Sequence, residues 1–166
     1  MHTLLALRHA KSSHADDSLP DHDRPLNERG RRDAPRLGHW LAHHDLVPHA
    51  IVCSTSQRTI ETAELVADAC GFPGAIQQDE RLYLASEATI LRILARQPDR
   101  VSRLMLVGHN PGLEDLIERL TGVRESMSTA ALARIELPMN SWSEIASAGR
   151  GSLEGPWRAR DLDELE

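Results

Sequence analysis

Short apolar runs that stop abruptly at polar residues are the feature that most constrains the fold of this chain. Residues 3–7, 50–53 and 104–107 form such runs. They end at Arg-His, Ser-Thr and Gly-His pairs, respectively. Continuous apolar runs of this length are typical of parallel strands that helices cover on both faces. The segments between the runs carry apolar residues at helical spacing, so the sequence predicts an α/β fold with a mostly parallel sheet.

The pattern predicts five strands that alternate with four helices. The predicted strands cover residues 3–7, 49–54, 75–77, 103–108 and 132–137. The predicted helices cover residues 27–44, 56–70 and 88–96, and a fourth begins at Pro111. The polar segment 11–25 is predicted to be a long loop, which in a compact domain is often functional. We expect one domain over residues 1–166, in which residues 155–166 form a charged surface tail.

Charge and composition argue against several classes of function. The 19 Lys and Arg residues are outnumbered by 25 Asp and Glu residues, which gives a net charge of -6. We therefore expect no nucleic-acid partner and no membrane surface as a partner. The start of the chain resembles no secretion signal, and no apolar stretch approaches the ~20 residues of a membrane-spanning helix. These features favour a cytoplasmic protein.

The cysteines and most of the histidines give no support for a bound metal. Cys53 and Cys70 form no C-x-x-C pair, and we expect both to be small buried side chains. Seven of the nine histidines are scattered along the chain, and no H-E-x-x-H motif is present. The sequence therefore predicts neither a metal nor a cofactor.

Cationic side chains follow three of the predicted strands. Arg8 and His9 end the first strand, and His109 ends the fourth. Arg58 lies one helical turn beyond the end of the second strand. Because the carboxyl ends of parallel strands meet at one edge of a sheet, these four residues are expected to converge there. Two guanidinium groups and two imidazoles form an anion site, and phosphate suits it best because arginine binds phosphate oxygens in a bidentate manner.

A histidine in such a site is a candidate nucleophile. Neighbouring positive charge lowers the pKa of an imidazole and so keeps it neutral. A neutral imidazole can attack phosphorus and form a phosphohistidine intermediate. The second histidine, if protonated, would stabilise negative charge on the phosphoryl oxygens. This chemistry requires no metal.

Several motifs resemble those of the histidine phosphatase superfamily. Residues 7–10 resemble its Arg-His signature, although Ala10 stands where glycine is usual. Residues 54–63 and 107–110 resemble its second and third blocks. Within the superfamily, the SixA-like phosphohistidine phosphatase branch is the best match. That branch is indicated by residues 8–12, 23–30, 108–112 and 128–131.

The resemblance covers residues 3–137 and implies a fold, a set of site residues and a mechanism. The fold is a three-layer α/β/α sandwich of the phosphoglycerate mutase-like type. His9 is implied as the phosphorylated nucleophile, and Arg8, Arg58 and His109 as the phosphate pocket. Many members also have an acidic residue ahead of the third helix, and Glu80 is the best match to it. Whether Glu80 is the general acid or an exposed loop carboxylate stays open, because a phosphoramidate needs less help to leave than an alkoxide.

Two further segments have roles that the sequence leaves open. Asp23 and Arg24 lie in the long loop, where Arg24 would touch substrate or pair with Asp23 to stiffen the loop. Lys11 and Ser12 directly follow His9 and would contact phosphate or serve only the structure.

The sequence therefore predicts a metal-independent phosphatase that acts through a phosphohistidine intermediate. Its expected substrate is phosphohistidine on a partner protein, since so short a chain has little room for a cap over the site. One alternative is a phosphatase of a small phosphoester, such as a sugar phosphate or a nucleotide. Another is a non-catalytic phosphate-binding or carrier module. A mutase is disfavoured because no second basic cluster is evident. The sequence leaves the oligomeric state open.

Overall fold

A six-stranded sheet organises the chain in the computed structural model, which describes residues 1–164 and their side chains as far as residue 162. The strand order is β3-β2-β4-β1-β5-β6. Strands β1 to β4 run parallel to one another, whereas β5 and β6 are antiparallel to their neighbours. The strands are β1 (His2–Arg8), β2 (Ala50–Cys53), β3 (Gln77–Gln78), β4 (Arg103–Gly108), β5 (Ala131–Leu137) and β6 (Ser152–Arg158).

Within residues 1–164, four α-helices cover the two faces of the sheet. They are α1 (Glu28–His43), α2 (Gln57–Cys70), α3 (Glu87–Leu94) and α4 (Gly112–Thr121). Side chains alternate between the faces of a strand. Leu5 and Leu7 accordingly lie in the core with α1 and α2, while Leu4 and Ala6 lie in the core with α3 and α4. The predicted three-layer α/β/α sandwich with a mostly parallel sheet is confirmed.

Local sequence determines where the helices begin and end. The Asn27 side chain caps α1 by accepting a hydrogen bond from the backbone N–H of Gly30. Gly71 and Gly122 end α2 and α4 in the left-handed conformation, which glycine adopts without strain. The predicted bounds of the strands and helices lie within two residues of the observed ones, except that predicted strand 75–77 overlaps β3 only at Gln77.

The expectation of a surface tail over residues 155–166 is wrong for the part of it that the structure describes. Residues up to Arg158 belong to edge strand β6, which pairs with β5. The following 3-10 helix, Ala159–Glu164, buries Ala159 and Leu162 in the core beside α1. Strand β6 has a half-exposed face, and its Gly-Pro pair and charges give no apolar run in the sequence. Residues 165 and 166 of the expected tail lie outside the described residues.

Within residues 1–164, no helix combines the length and the apolar character needed to cross a bilayer. The expected cytoplasmic location stays a prediction.

Candidate active site

The carboxyl edge of the parallel strands brings the four predicted residues together. Arg8 is the last residue of β1, and His9 follows it. The backbone N–H of His9 bonds to the carbonyl of Gly108, the last residue of β4, so His109 is carried to the same edge. Arg58 lies in the first turn of α2, directly after β2. The rings of His9 and His109 are 5.2 Å apart between centroids.

Hydrogen bonds fix the orientation of the His9 ring. Its Nδ1–H donates to the carbonyl oxygen of Ala10 at 2.8 Å. The proton therefore sits on Nδ1, and Nε2 carries the lone pair. The guanidinium Nε–H of Arg58 donates a hydrogen bond to that Nε2 at 3.4 Å. His9 thus presents a neutral ring nitrogen beside a fixed positive charge.

Residues around Ala10 support this placement. The backbone N–H of Ala10 donates to the Thr62 hydroxyl, which itself donates to the carbonyl of Arg58. The end of β1 is therefore tied to the first turns of α2. Ala10 is fully buried in the core on the α1 and α2 face, where its methyl group is accommodated in place of the usual glycine.

Burial and charge keep both imidazoles neutral near physiological pH. Burial lowers the pKa of His9 to about 4, and the nearby Arg58 and Arg8 guanidinium groups act in the same direction. Burial also lowers the pKa of His109 to about 3, with further effects from His9 and Arg58. Neutral His9 meets the requirement for a nucleophile. The sequence predicts that His109 stabilises negative charge if it is protonated. In the free site His109 is neutral, so it acts there as a hydrogen-bond donor without charge.

The two ring nitrogens of His109 differ in their contacts: Nε2 faces Ser54, and Nδ1 has no partner. Ser54 Oγ lies 2.8 Å from His109 Nε2 and already accepts a hydrogen bond from the Ser56 N–H. A hydroxyl donates one hydrogen bond and accepts two, so this contact fits either tautomer of His109, and we assign the one in which the Ser54 hydroxyl donates to Nε2 and the proton lies on Nδ1. That Nδ1 atom is buried and has no partner. A buried donor without a partner is unfavourable, so an anion bound here would satisfy it.

Arg8 and Asn110 share a second anchoring point. Arg8 Nη1 donates to the carbonyl of Met127 at 3.0 Å, and Asn110 Nδ2 donates to the same oxygen at 2.7 Å. Arg8 Nε is buried without a partner. The carbonyl thus holds the Arg8 fork in position while part of its donor capacity stays available.

The long loop folds back over Arg58. Asp21 lies in a 3-10 turn, Asp21–Asp23, and its carboxylate accepts a hydrogen bond from Arg58 Nη2 at 3.0 Å. The same carboxylate pairs with Arg24 at 2.8 Å and accepts a hydrogen bond from the Tyr83 hydroxyl. The Tyr83 hydrogen bond and the two arginines hold the pKa of Asp21 well below its usual range. Asp21 is therefore an ionised anchor for both arginines.

Arg24 has partners in the structure that differ from the expected Asp23. Its Nη1 donates to the hydroxyl of Ser12 at 2.6 Å, and its partner carboxylate is Asp21 rather than Asp23. Ser12 also pairs with Leu26 in an isolated bridge. Gly30 packs against the backbone next to Ser12, since a Cβ at position 30 would lie 2.3 Å from the carbonyl oxygen of Lys11. Arg24 and Ser12 thus serve the loop structure and also line the cavity next to His9.

A small basic cavity joins these groups. Its volume is about 210 Å³, which is below the ~300–1,000 Å³ of typical ligand pockets. Its lining residues are Arg8, His9, Lys11, Ser12, His14, Arg24, Arg58, Leu84, His109, Asn110 and Thr129. Four of them carry fixed positive charges, and no described lining residue is a carboxylic acid. The cavity suits a small, multiply charged anion such as a phosphoryl group.

The structure does not place Glu80 with the other predicted site residues. Glu80 is an exposed residue that begins a 3-10 turn, Glu80–Leu82, and it does not line the cavity. From that turn it is Tyr83 that reaches the site, where its ring lies 5.4 Å from the ring of His109. The interpretation of Glu80 as an exposed loop carboxylate agrees with this position better than that of a general acid.

Sequence reasoning missed Asp21, Tyr83 and Ser54 as members of the site. Asp21 and Tyr83 approach Arg58 through loop paths that no periodic pattern encodes. Ser54 was visible at the end of the second strand, where a polar residue after an apolar run was already taken as a site position. Its contact with His109 follows from the adjacency of β2 and β4.

Among residues 1–162, no group of three or more His, Cys, Asp or Glu side chains is arranged to hold an ion. Burial raises the pKa of the Cys53 thiol to about 12, so this cysteine is a buried core residue rather than a ligand or nucleophile.

The low imidazole pKa values predict an unusual titration. In an unfolded chain both rings titrate near pH 6.5, whereas in the folded protein we expect His9 near 4 and His109 near 3. The unfolded chain then binds more protons than the folded one below about pH 6.5. The two rings therefore do not affect the free energy of unfolding above about pH 6.5. They lower it as the pH falls from there towards the folded-state pKa values.

NMR titration of the imidazole Cε1–H signals checks this expectation, with His9→Gln and His109→Gln to assign the resonances. Midpoints well below 6.5 are expected, together with a Tm that falls as the pH drops from 6.5 to 4. A midpoint near 6.5 for either ring contradicts the electrostatic description of the site.

Comparisons with known proteins give a consistent result. The family model "Histidine phosphatase superfamily (branch 1)" matches residues 4–83. An uncharacterised chloroplastic protein of Arabidopsis thaliana is 33% identical over 165 residues, which cover 92% of this chain and 75% of that protein.

Solved structures share the fold over nearly the whole chain. One is described as a phosphohistidine phosphatase SixA of Nakamurella multipartitia; it is 26% identical, with a TM-score of 0.80, over 93% of this chain and 96% of that one. A mycobacterial glucosyl-3-phosphoglycerate phosphatase, 18% identical over 95% and 99% of the two chains, shares the fold with a TM-score of 0.69. The sequence match, the sheet architecture and the cluster of two arginines and two histidines agree: the chain belongs to the histidine phosphatase superfamily.

Proposed function

We propose that this protein is a metal-independent phosphatase that removes the phosphoryl group from phosphohistidine on a partner protein. The observation that carries the proposal is the combination of a neutral, oriented His9 with a basic cavity whose described lining includes no carboxylic acid. The first feature supplies a nucleophile for phosphoryl transfer. The second favours a leaving group that departs without a carboxyl proton donor.

The first half of the reaction forms a phosphoenzyme. The substrate phosphoryl group enters the cavity, and its oxygens bind the guanidinium groups of Arg8 and Arg58 and the Nδ1–H of His109. His9 Nε2 attacks phosphorus in line with the bond to the substrate nitrogen. A bond forms between Nε2 and phosphorus, the phosphorus–nitrogen bond breaks, and its electron pair returns to the leaving imidazole. The phosphorylated His9 ring gains positive charge, which its Nδ1–H shares with the Ala10 carbonyl.

The second half regenerates the free protein. A water molecule attacks phosphorus from the side that the leaving imidazole has vacated. The bond between phosphorus and His9 Nε2 breaks, and its electron pair returns to the ring as the lone pair. The proton of the attacking water passes to the phosphate product or to bulk water. The arginine forks and His109 stabilise the oxygens in both steps, so the protein supplies position and charge rather than a cofactor.

The leaving group decides between a phosphoramidate and a phosphoester. An imidazole protonated on its other nitrogen departs as a neutral ring, whereas an alkoxide needs a proton as it leaves. Asp21 is the carboxylate that contacts Arg58, and its hydrogen bonds keep it ionised and unable to donate a proton. This chemistry supports the phosphohistidine substrate over a sugar phosphate or a nucleotide.

A substrate panel tests the proposal directly. The wild-type protein is assayed with a phosphohistidine-containing protein, phosphoramidate, and small phosphoesters that include a sugar phosphate and a nucleotide. We expect kcat/KM for the phosphoprotein and for phosphoramidate to exceed that for every ester by about 10²-fold or more, the size of a general acid's contribution. A higher kcat/KM for an ester would replace the proposal with the small-phosphoester function, and binding without phosphate release would indicate a carrier module.

The substitution Glu80→Gln is a second test that distinguishes a phosphohistidine phosphatase from a phosphatase of small phosphoesters. Because Glu80 lies outside the cavity, we expect kcat/KM to change by less than about 2-fold, as for surface substitutions generally. His9→Gln, measured alongside, defines the residual rate of a disabled site. A loss of ~10²-fold or more in Glu80→Gln with an ester, and not with phosphoramidate, would identify Glu80 as a general acid that reaches the site when substrate binds.

A further inference from the structure

One large apolar side chain lies at the rim of the otherwise polar cavity. Leu84 is the one aliphatic side chain of this size among the described residues that line it. It is 55% exposed, whereas Leu82, two residues earlier, is 3% exposed. Exposing a leucine to water is unfavourable, and contact with another apolar surface would relieve that cost.

The backbone at Leu84 is strained. Its φ angle is +49°, in the left-handed region that branched side chains rarely enter. Strain of this kind persists where the surrounding structure imposes it, and it concentrates at functional sites. The conformation of Leu84 therefore depends on the residues that flank it.

The flanking residues fix Leu84 at the cavity rim. On one side, the Tyr83 hydroxyl is bound to Asp21, and the Tyr83 ring packs against those of His109 and His22. On the other side, the Ala85 carbonyl is packed against Gly112, where a Cβ would lie 2.1 Å from that oxygen. Leu84 is thus presented from a short segment that is anchored at both ends.

In-line transfer places the leaving group at the rim of the cavity. His9, Arg58 and His109 form a buried floor, with exposures of 7%, 3% and 3%. In-line transfer places the leaving atom on the side of phosphorus opposite the nucleophile. The leaving group therefore extends away from the floor towards the exposed lining residues, which are Leu84 and His14.

We propose that Leu84 is a specificity-determining residue that packs against the apolar face of the leaving imidazole of a substrate phosphohistidine. The inference rests on the proposed function. An imidazole ring has apolar faces that fit a leucine side chain and nitrogen atoms at its edge that do not. The basic lining residues hold the phosphoryl oxygens, and Leu84 selects what those oxygens are attached to.

The test compares two substrates with the same phosphorus–nitrogen bond and different leaving groups. A phosphohistidine peptide carries an imidazole, and phosphoramidate carries ammonia. Leu84→Asn replaces the apolar side chain with a polar one that tolerates the left-handed conformation. Leu84→Met keeps an apolar side chain of similar volume. The variant-to-wild-type ratio of kcat/KM for each substrate cancels the intrinsic reactivity of its leaving group.

We expect Leu84→Asn to lower kcat/KM for the peptide about 10-fold more than for phosphoramidate, the range of one lost apolar contact. For Leu84→Met, kcat/KM should stay within about 2-fold of the wild-type value with each substrate. Val123→Asn is the matched control, since Val123 is 43% exposed and lies outside the cavity. It should leave both rates unchanged.

Two results would overturn the inference. Equal losses for both substrates in Leu84→Asn would indicate a purely structural role, and no loss for either would show that the leaving group does not touch Leu84. A wild type inactive on the peptide but active on esters would refute the proposed function alone. In that case the test of Leu84 uses phenyl phosphate and glycerol phosphate in place of the phosphohistidine peptide and phosphoramidate. A selective loss with the phenyl ester would retain Leu84 as the leaving-group contact, and equal losses would reject it.

Discussion

Replacing His9 with asparagine should abolish turnover, with a loss in kcat on the order of 10⁴-fold or more, as for other residues that form a covalent intermediate. Asparagine places an amide near the position of His9 Nδ1, so the hydrogen bond to the Ala10 carbonyl has a replacement donor. The variant lacks the nitrogen that would attack phosphorus. Steady-state phosphate release from the phosphohistidine peptide measures the effect.

His39→Asn is the matched control for this substitution. His39 lies on the exposed surface of α1, away from the cavity, and its replacement should leave kcat unchanged. The Tm of each variant shows that it is folded. A His9→Asn protein that is folded and retains a tenth of the wild-type rate would remove His9 from the mechanism.

The second large effect is expected at Arg58. Its fork reaches His9 through Nε, the Asp21 carbonyl through Nη1 and the Asp21 carboxylate through Nη2. Lysine keeps the charge but replaces this fixed fork with one flexible ammonium group. We expect Arg58→Lys to lower kcat/KM by about 10²–10³-fold, the usual result of removing one donor from a charge-stabilising site. Steady-state kinetics with phosphoramidate measures this loss without contributions from a partner protein.

Binding of a transition-state analogue separates a chemical role of Arg58 from a structural one. The inhibition constant for orthovanadate should rise in Arg58→Lys in parallel with the loss of kcat/KM. Arg92→Lys, on the exposed face of α3, provides the matched control and should change neither quantity. A change of less than 3-fold in both quantities for Arg58→Lys would show that this guanidinium does not hold the transferring group.

The convergence of the four charged residues was predictable because it follows from topology. Parallel strands share a carboxyl edge, so Arg8, His9, Arg58 and His109 are brought together by any fold in which β1, β2 and β4 are parallel neighbours. The apolar runs of these strands are visible in the sequence because helices cover both faces. The residue motifs added the family, which the comparisons confirm.

The details that failed depend on paths of the chain that carry no periodic pattern. Asp21 reaches Arg58 because a 15-residue loop folds back, and neither its composition nor its length specifies that path. Glu80 was a candidate by its place in the sequence, yet the turn that it begins directs Tyr83, not Glu80, towards His109. Strand β6 was missed because an edge strand with one exposed face and a Gly-Pro pair lacks an apolar run.

The proposed mechanism depends on a covalent phosphoenzyme, and rapid quenching tests for it most directly. The wild-type protein is mixed with a phosphohistidine peptide, quenched in alkali within milliseconds, and digested for mass spectrometry, with ³¹P NMR of the quenched protein to identify the nitrogen. We expect one phosphoryl group on His9, attached at Nε2, that forms and decays at rates consistent with turnover. Turnover that proceeds with the phosphoryl group on another residue, or with none bound at any time, would contradict it.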